Sequence, residues 1–257
     1  MTFEKWEGLG NDFVFVAGDP PADAQARAIQ WCDRRTGVGA DGLVYLNDEP
    51  RMVIFNSDGS RASTCGNALR CVGAWRAQRD RLPLGQWEEV ATDSGQRRLR
   101  VLDSERVTVD MGPPGKVEGT QDLLPIPEVG LPGHFLSMGN PHLVVLCPEG
   151  LPSRSDFESW GSKLTHSIPG GVNVEFVARR PDTPNALEVL VWERGAGPTQ
   201  ACGSGACAAL VVAVRVGWVS GTSRVGLPGG ELEIDWNGQD GVLMTGPARN
   251  VFRGELV

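Results

Sequence analysis

The sequence has few cysteines and histidines and no long apolar run, and each of these shortages excludes a class of protein. No stretch reaches the roughly 18 consecutive apolar residues that a membrane-spanning helix needs. Six cysteines among 257 residues, with no C-x-x-C pair, are too sparse for a disulfide scaffold or a zinc finger. The first residues are acidic where a secretion signal needs basic and then apolar residues. We therefore expect reduced thiols, no metal, no membrane partner and a cytoplasmic location.

Positive charge is also scarce. The chain has 24 Lys and Arg against 32 Asp and Glu, for a net charge of −8. This balance argues against nucleic acid as a partner, because affinity for a polyanion comes mainly from basic contacts to phosphate. Hydrophobic residues make up 40% of the chain, which is enough for a globular core, and its length suits one large domain or two smaller ones.

Internal similarity indicates that the chain is a tandem duplication. Four short matches recur in the same order, with offsets of 129 to 137 residues. They pair Gly10-Asn11 with Gly139-Asn140, Leu43-Val44 with Phe176-Val177, Cys65-Gly66 with Cys202-Gly203, and Gly112-Pro113 with Gly246-Pro247. We predict two like domains, residues 1–116 and residues 117–250.

Local patterns predict short strands and one clear helix in each half. Runs of β-branched and aromatic residues bounded by turn residues predict strands at residues 13–16, 43–46, 52–55, 143–146, 174–177 and 187–192. Alanine-rich segments predict helices at residues 68–79 and 205–215, and the second is almost wholly apolar, as is typical of a buried helix. The fold class expected is α/β (α+β), with two pseudo-symmetric domains that each wrap sheet around a central helix.

A cysteine stands three residues before the start of each predicted helix. Unpaired N–H groups and the helix dipole at that end bind an anion and favour a thiolate. If the two domains face each other, Cys65 and Cys202 meet on opposite sides of one ligand. One thiolate could then remove a proton from a carbon while the other thiol protonates the opposite face. We expect Cys32, Cys71, Cys147 and Cys207 to be packing residues.

Eight sequence blocks, taken together, resemble the diaminopimelate epimerase family. They are GLGNDF at 8–13, TGVGADG at 36–42, FNSDGS at 55–60, CGN at 65–67, MGNPH at 138–142, NVEF at 173–176, WERG at 192–195 and ACGSGACA at 201–208. The resemblance implies a cofactor-independent epimerase that interconverts LL- and meso-2,6-diaminopimelate, in which each domain is a mixed, barrel-like sheet around its helix. It also implies that a last strand near residues 251–257 returns to the first domain, and it leaves a homodimer open.

The resemblance also implies roles for individual residues. Cys65 and Cys202 match the acid/base pair, and His142 and Glu193 match a pair that tunes the thiols. The reacting carboxylate would be held by Gly66, Asn67, Gly203 and Ser204, and the reacting amino group would lie near Asn11 and Glu193. The distal, non-reacting centre would be bound by Asn56, Asn140, Asn173 and Arg194.

Several positions depart from the family pattern and keep other functions open. Ala68 replaces a usual Gly, Val172 a usual Thr and Trp6 a common His or Met, while Gly42 lacks a side chain where some members have Gln. One alternative is a cofactor-independent racemase of another amino acid, such as lysine or histidine. A second alternative, from a different class, is a non-catalytic or thiol-redox binding protein.

Overall fold

The structure, a computed structural model, describes residues 1–79 and 82–256. The chain packs as two compact units. Unit 1 comprises Met1–Asp110 and Thr245–Val257, and unit 2 comprises Met111–Met244. Whether the duplicated halves at residues 1–116 and 117–250 are domains in their own right stays a prediction. No helix in the described part of the chain has both the length and the apolar composition that crossing a bilayer requires.

The secondary structure is mostly short strands, with four helices among the described residues. The first 110 residues contain β1 (Thr2–Gly8), β2 (Asn11–Ala17), α1 (Ala24–Cys32), β3 (Gly42–Leu46), β4 (Met52–Asn56), β5 (Arg61–Ala62), α2 (Gly66–Ala77), β6 (Trp87–Thr92), β7 (Gly95–Val101) and β8 (Arg106–Asp110). The rest contains β9 (Leu123–Ile126), β10 (Leu131–Ser137), β11 (Pro141–Leu146), α3 (Arg154–Leu164), β12 (Asn173–Arg179), β13 (Ala186–Glu193), β14 (Gly197–Pro198), α4 (Gly203–Arg215), β15 (Ser223–Leu227), β16 (Gly230–Asp235), β17 (Leu243–Pro247) and β18 (Arg249–Glu255). All six predicted strands are confirmed, each within a slightly longer one.

Unit 1 contains a six-stranded sheet in the order β18-β1-β2-β3-β4-β5. The final strand, β18, pairs antiparallel with β1, so the chain ends in the same sheet in which it begins. The β2–β3 pair is parallel, and α1 lies in the connection that a parallel pair requires. Helix α2 packs against β1, β7, β8 and β18.

Unit 2 repeats this arrangement. Its strands run in the order β9-β10-β11-β12-β13-β15-β16 within their sheet, β11 and β12 are parallel, and α3 lies in their connection. Helix α4 packs against β10 to β13, β15 and β16. The mixed α/β architecture predicted from the sequence is confirmed.

Strand register identifies the equivalent residues of the two units. In unit 1, Val14 pairs with Leu43 and Leu43 with Phe55. In unit 2, Leu143 pairs with Val174 and Val174 with Trp192. Leu43 therefore corresponds to Val174, and its predicted match to Phe176 is wrong by two residues. A shift of two leaves the same face of the strand buried, which is why the sequence pattern tolerated the error.

Both central helices begin earlier than predicted. Gly66 and Gly203 are the first helical residues, whereas the predicted starts were Ala68 and Gly205. The preceding Cys65 (φ −149°, ψ 117°) and Cys202 (φ −120°, ψ 109°) have extended backbones and are the N-cap residues. Glycine has a low helix propensity, so the alanine-rich pattern hid the first turn.

Helix α3 was not predicted, and one contact makes it important for the site. Gly161 packs directly against Trp192, the residue before Glu193. A Cβ on Gly161 would lie 2.8 Å from two ring carbons of Trp192, closer than packed atoms approach. Trp192 also stacks edge-on against Phe157 of α3, with ring centroids 6.0 Å apart. The glycine therefore allows the end of β13 to lie close to α3.

Replacing Gly161 with Ala should lower the free energy of unfolding by about 1–3 kcal/mol, because overpacking at Trp192 outweighs the better helix propensity of alanine. Urea unfolding measures the change. The exposed Ser159→Ala on the same helix is the control and should change little. A Gly161→Ala protein as stable as the parent would contradict the tight packing of α3 on Trp192.

Candidate active site

In unit 1, three of the predicted site residues are in contact. The half-buried Cys65 thiol donates to Asn11 Oδ1 over 3.9 Å, a long contact even for sulfur. Asn67 Nδ2 donates to the same oxygen at 3.0 Å. Asn67 lies in the first turn of α2 and Asn11 begins β2, so the strand start and the helix start meet at this oxygen.

A tight turn positions Asn11. The two residues between β1 and β2 both have left-handed backbones, with φ of 57° at Leu9 and 79° at Gly10. Such a pair is typical of the two-residue hairpin turn whose twist matches the strands. A left-handed leucine is strained, and strain of this kind persists only where the surrounding structure holds it. Leu9 is buried, and this packing holds the turn.

A charged network fixes the other end of the Asn11 amide. Asn11 Nδ2 donates to Asp41 Oδ2 at 2.6 Å, and Arg34 bridges Asp41 and Asp12 at 2.8 and 2.7 Å. Lys5 Nζ lies 2.7 Å from Asp12. Burial opposes ionisation of Asp12, but the hydrogen bonds from Arg34 and Lys5 prevail and lower the pKa of its carboxyl. The orientation of Asn11 is thus set by ionised side chains.

A fully buried arginine fixes Asn67 in the same way. Arg70, one turn along α2, donates from Nη1 to Asn67 Oδ1 at 2.8 Å and from Nε to the Pro247 carbonyl at 3.1 Å. With its oxygen occupied, the Asn67 amide can only turn its Nδ2 toward Asn11. Unit 1 therefore presents Cys65 in a network of amides, one held by the buried Arg70 and the other by the partly exposed Asp41.

In unit 2, Cys202 stands at the corresponding position but is more deeply buried. Its sulfur accepts a hydrogen bond from the Gly205 backbone N–H at 3.4 Å and lies 3.5 Å from Ser204 Oγ. The residue is 7% exposed. Its sulfur therefore caps the helix, as a side-chain oxygen does at an ordinary N-cap.

Burial raises the pKa of the Cys202 thiol well above its ordinary range, and negative charge from Glu193 and Glu175 adds to the rise. The Ser204 hydroxyl and the Gly205 N–H act in the opposite direction but do not prevail. Burial also raises the pKa of Glu193, although the Thr199 hydroxyl donates to it at 2.6 Å and the Cys202 thiol donates as well. Cys202 is therefore a thiol in this state, next to a carboxylate with raised proton affinity.

His142 is fully buried between Glu175 and Asn140. Its Nδ1 lies 2.7 Å from Glu175 Oε1, and its Nε2 lies 3.0 Å from Asn140 Oδ1. The structure thus joins two predicted residues, His142 and Asn140, directly, and it adds a third group, Glu175, for which no role was predicted. The missed signal is the polar-apolar alternation of Asn173-Val-Glu175, which places Asn173 and Glu175 on the same strand face.

Two predicted binding residues, Asn173 and Arg194, form a separate contact at the edge of this cluster. Asn173 Oδ1 accepts the backbone N–H of Arg194 at 2.9 Å. The exposed Arg194 guanidinium donates from Nη1 to the Gly170 carbonyl at 3.1 Å, which holds it over the loop before β12.

Asn56 is not hydrogen-bonded to the Cys65 cluster by any contact identified in the described residues. Its Nδ2 donates to Ser60 Oγ at 2.9 Å, and its backbone N–H donates to the Ser60 carbonyl at 2.8 Å, so it closes the turn after β4.

The four departures from the family pattern are packing positions. Trp6, Ala68 and Val172 are 0% exposed. A Cβ on Gly42 would lie 2.9 Å from the Phe55 carbonyl, so a larger residue does not fit there. Cys32, Cys71, Cys147 and Cys207 are buried, as predicted, and burial raises the pKa of Cys32 to about 12 and of Cys147 to about 11.

Ser204→Ala should slow the alkylation of Cys202 about three- to tenfold at pH 8, because the thiolate loses a hydrogen-bond donor worth about 1 kcal/mol and its pKa rises further. Iodoacetamide labelling followed by peptide mass spectrometry measures the rate at each cysteine separately. Ser162→Ala, an exposed change in the same unit, should leave the rate unchanged. Faster labelling in Ser204→Ala would contradict this description of the sulfur.

Comparison with known proteins places this chain in a family. The family model described as diaminopimelate epimerase matches residues 3–117 and 134–251. The diaminopimelate epimerase of Desulforudis audaxviator is 42% identical over 283 residues, covering 100% of this chain and 99% of the relative. That of Prochlorococcus marinus is 39% identical over 289 residues, covering 100% and 92%.

Solved structures extend the likeness to the fold. A hydroxyproline epimerase from Agrobacterium vitis has a TM-score of 0.73 at 14% identity, covering 100% of this chain and 90% of its own. A protein from Pseudomonas aeruginosa that is described as a predicted epimerase has a TM-score of 0.72 at 16% identity, covering 100% of this chain and 99% of its own. At these identities the likeness shows the fold alone. The family match and the full-length relatives show that this chain belongs to the diaminopimelate epimerase family.

Proposed function

We propose that this protein is an isomerase that interconverts LL- and meso-2,6-diaminopimelate, a step of lysine biosynthesis, without a cofactor. The proposal depends mainly on a feature that occurs in both units: a cysteine is the N-cap residue of a buried helix, and a glycine follows it. Family membership and relatives of that name at about 40% identity over the whole chain support the same activity.

The proposed chemistry is proton transfer by two thiols. One sulfur, as thiolate, takes the α-proton from one face of the substrate carbon, and the other, as thiol, gives a proton to the opposite face. The carbon gains one proton and loses one, so the centre is inverted and the charge balances. The reverse reaction exchanges the roles of Cys65 and Cys202.

Glu193 supplies the route by which Cys202 becomes a base. The Cys202 thiol donates to Glu193, and burial raises the pKa of that carboxyl, so it can accept the thiol proton. The resulting thiolate keeps the hydrogen bonds from Ser204 and the Gly205 N–H, and the helix dipole stabilises it further. Proton transfer within this pair changes no net charge in the buried site, which lowers its cost.

Substrate binding is proposed from the family pattern. The backbone N–H groups of Gly66, Asn67, Gly203 and Ser204 would hold the reacting carboxylate, because the N–H groups of a first helical turn have no partner in the helix. Asn11 and Glu193 would contact the reacting amino group. Asn56, Asn140, Asn173 and Arg194 would bind the distal centre, with the Arg194 guanidinium suited to a carboxylate. The cytoplasmic location and a homodimer stay predictions.

Incubation of the reduced protein in D₂O with LL-diaminopimelate tests the activity. Deuterium should enter the α-carbon of the product with no added cofactor. Exchange with lysine or histidine but not with diaminopimelate would select the alternative racemase. A folded, reduced protein that exchanges none of the three would contradict catalysis and favour the thiol-binding alternative.

Cys65→Ala and Cys202→Ala should each lower kcat by about 10³-fold or more, because each removes one of two required proton carriers. Cys71→Ala and Cys207→Ala are matched controls on the same two helices. Both residues are fully buried, so their replacement should cost stability and leave most of kcat intact. Loss of kcat in a well-folded Cys71→Ala or Cys207→Ala protein, or retention of kcat in Cys65→Ala or Cys202→Ala, would contradict the assignment.

A further inference from the structure

The two units surround their cysteines with different chemistry. By strand register, Val44 of β3 occupies the place that Glu175 occupies on β12. The same register equates Phe13 with His142, and Asn56, which follows Phe55, with Glu193, which follows Trp192. Three titratable side chains on one sheet face of unit 2 thus correspond to three that do not titrate in unit 1.

Glu175 is the most unusual of the three. Its side chain is 0% exposed, and its Oε1 is taken by His142 Nδ1. Its Oε2 has no hydrogen-bond partner among the residues that the structure describes. A buried carboxylate oxygen without a partner is costly and rarely retained for stability alone.

Glu175 lies close to the first turn of α4. A Cβ on Gly205 would lie 2.7 Å from Glu175 Oε1 and 3.3 Å from the Cys202 sulfur. The distance between the carboxylate oxygen and the sulfur is therefore no larger than the sum of these two distances. Because only glycine leaves this space open, Gly205 allows the charge to approach the N-cap.

Other charged groups on the strands packed against α4 are few. By side-chain alternation, the titratable or charged residues on the helix-facing side of these strands are His134 of β10, His142 of β11, Glu175 and Arg179 of β12, and Glu193 of β13. The helix itself contributes Cys202, Cys207 and Arg215. Arg179 stacks on Trp218, beyond the carboxyl end of α4, and burial lowers the pKa of His134, which disfavours its charged form. The two glutamates and His142 remain to act at the start of α4.

We propose that Glu175 is a positioning residue whose buried negative charge, held in place by His142, keeps Cys202 in the thiol form in the resting enzyme. A helix N-terminus alone favours the thiolate, and both cysteines occupy such a terminus. Glu175 offsets that effect at α4 only, since Val44, at the equivalent strand position in unit 1, carries no charge. The inference rests on the proposed function, which needs one thiol to be a proton donor when the other is a base. The rise in the pKa of Cys202 that Glu175 adds to the effect of burial agrees with it.

The test is the pH dependence of Cys202 alkylation in substrate-free enzyme, read from its own peptide by mass spectrometry. In the parent protein the midpoint should lie well above the ordinary thiol range near pH 8.5. Glu175→Gln, which keeps the shape and the acceptor for His142, should move the midpoint to lower pH and speed labelling about tenfold at pH 8. Glu175→Val, which installs the unit 1 residue, should act in the same direction.

Glu188→Gln is the matched control. It removes one negative charge from β13 on the strand face opposite Glu193, from a side chain that is 44% exposed. Its midpoint should equal that of the parent. Circular dichroism verifies that each variant is folded. A midpoint that both folded Glu175 variants share with the parent overturns the proposal, because a purely structural role would not move a thiol titration. An ordinary midpoint in the parent overturns it even if neither variant folds.

Alkylation is measured without substrate, so its result is separate from that of isotope exchange. Normal exchange with an unshifted Cys202 midpoint would refute the role of Glu175 and leave the epimerase proposal standing. A shifted midpoint in a protein that exchanges no deuterium would leave the charge effect intact and refute the proposed function.

Discussion

The start of a buried helix is the constraint on which the rest of this structure depends. At α2 and again at α4, a cysteine with an extended backbone ends a loop, and a glycine begins the helix. This geometry exposes the first N–H groups of the helix beside a sulfur atom. Each helix is then enclosed by the strands of its own unit, so the sulfur is held by packing rather than by a flexible loop. A thiol in that setting has a defined position, a local positive potential and little water around it.

Duplication explains why the arrangement occurs twice, and divergence explains why the two copies differ. In unit 1, the charged side chains act on Cys65 only through amides. Asp41 orients Asn11 and Arg70 orients Asn67. The two amides meet beside the Cys65 sulfur. In unit 2, burial raises the pKa of Cys202, and the nearby carboxylates of Glu193 and Glu175 add to the rise. A reaction that needs one thiol as acid and one as base is served by this difference. Two identical surroundings would favour the same protonation state at both.

Much of this could be predicted from the sequence. The six strands, both central helices and the packing role of Cys32, Cys71, Cys147 and Cys207 follow from local patterns. The helix starts were predicted two residues too late, because the low helix propensity of glycine hid the first turn. Helix α3 was not predicted, because its composition is polar and its buried residues are few: Phe157, Gly161 and Leu164. Glu175 and Asp41 could not be assigned roles, because their partners, His142 and Asn11, lie about 30 residues away and meet them only through strand pairing.

The central claim is that unit 2 holds the Cys202 thiol protonated. The most direct measurement is the ultraviolet absorbance of thiolate, titrated with pH in the parent protein and in Cys202→Ser. The difference between the two curves isolates Cys202, because the other cysteines are common to both. The thiolate absorbance that this difference reports should be absent at neutral pH and should appear only well above the pH at which an ordinary thiol ionises. A thiolate at neutral pH that disappears in Cys202→Ser would contradict the claim.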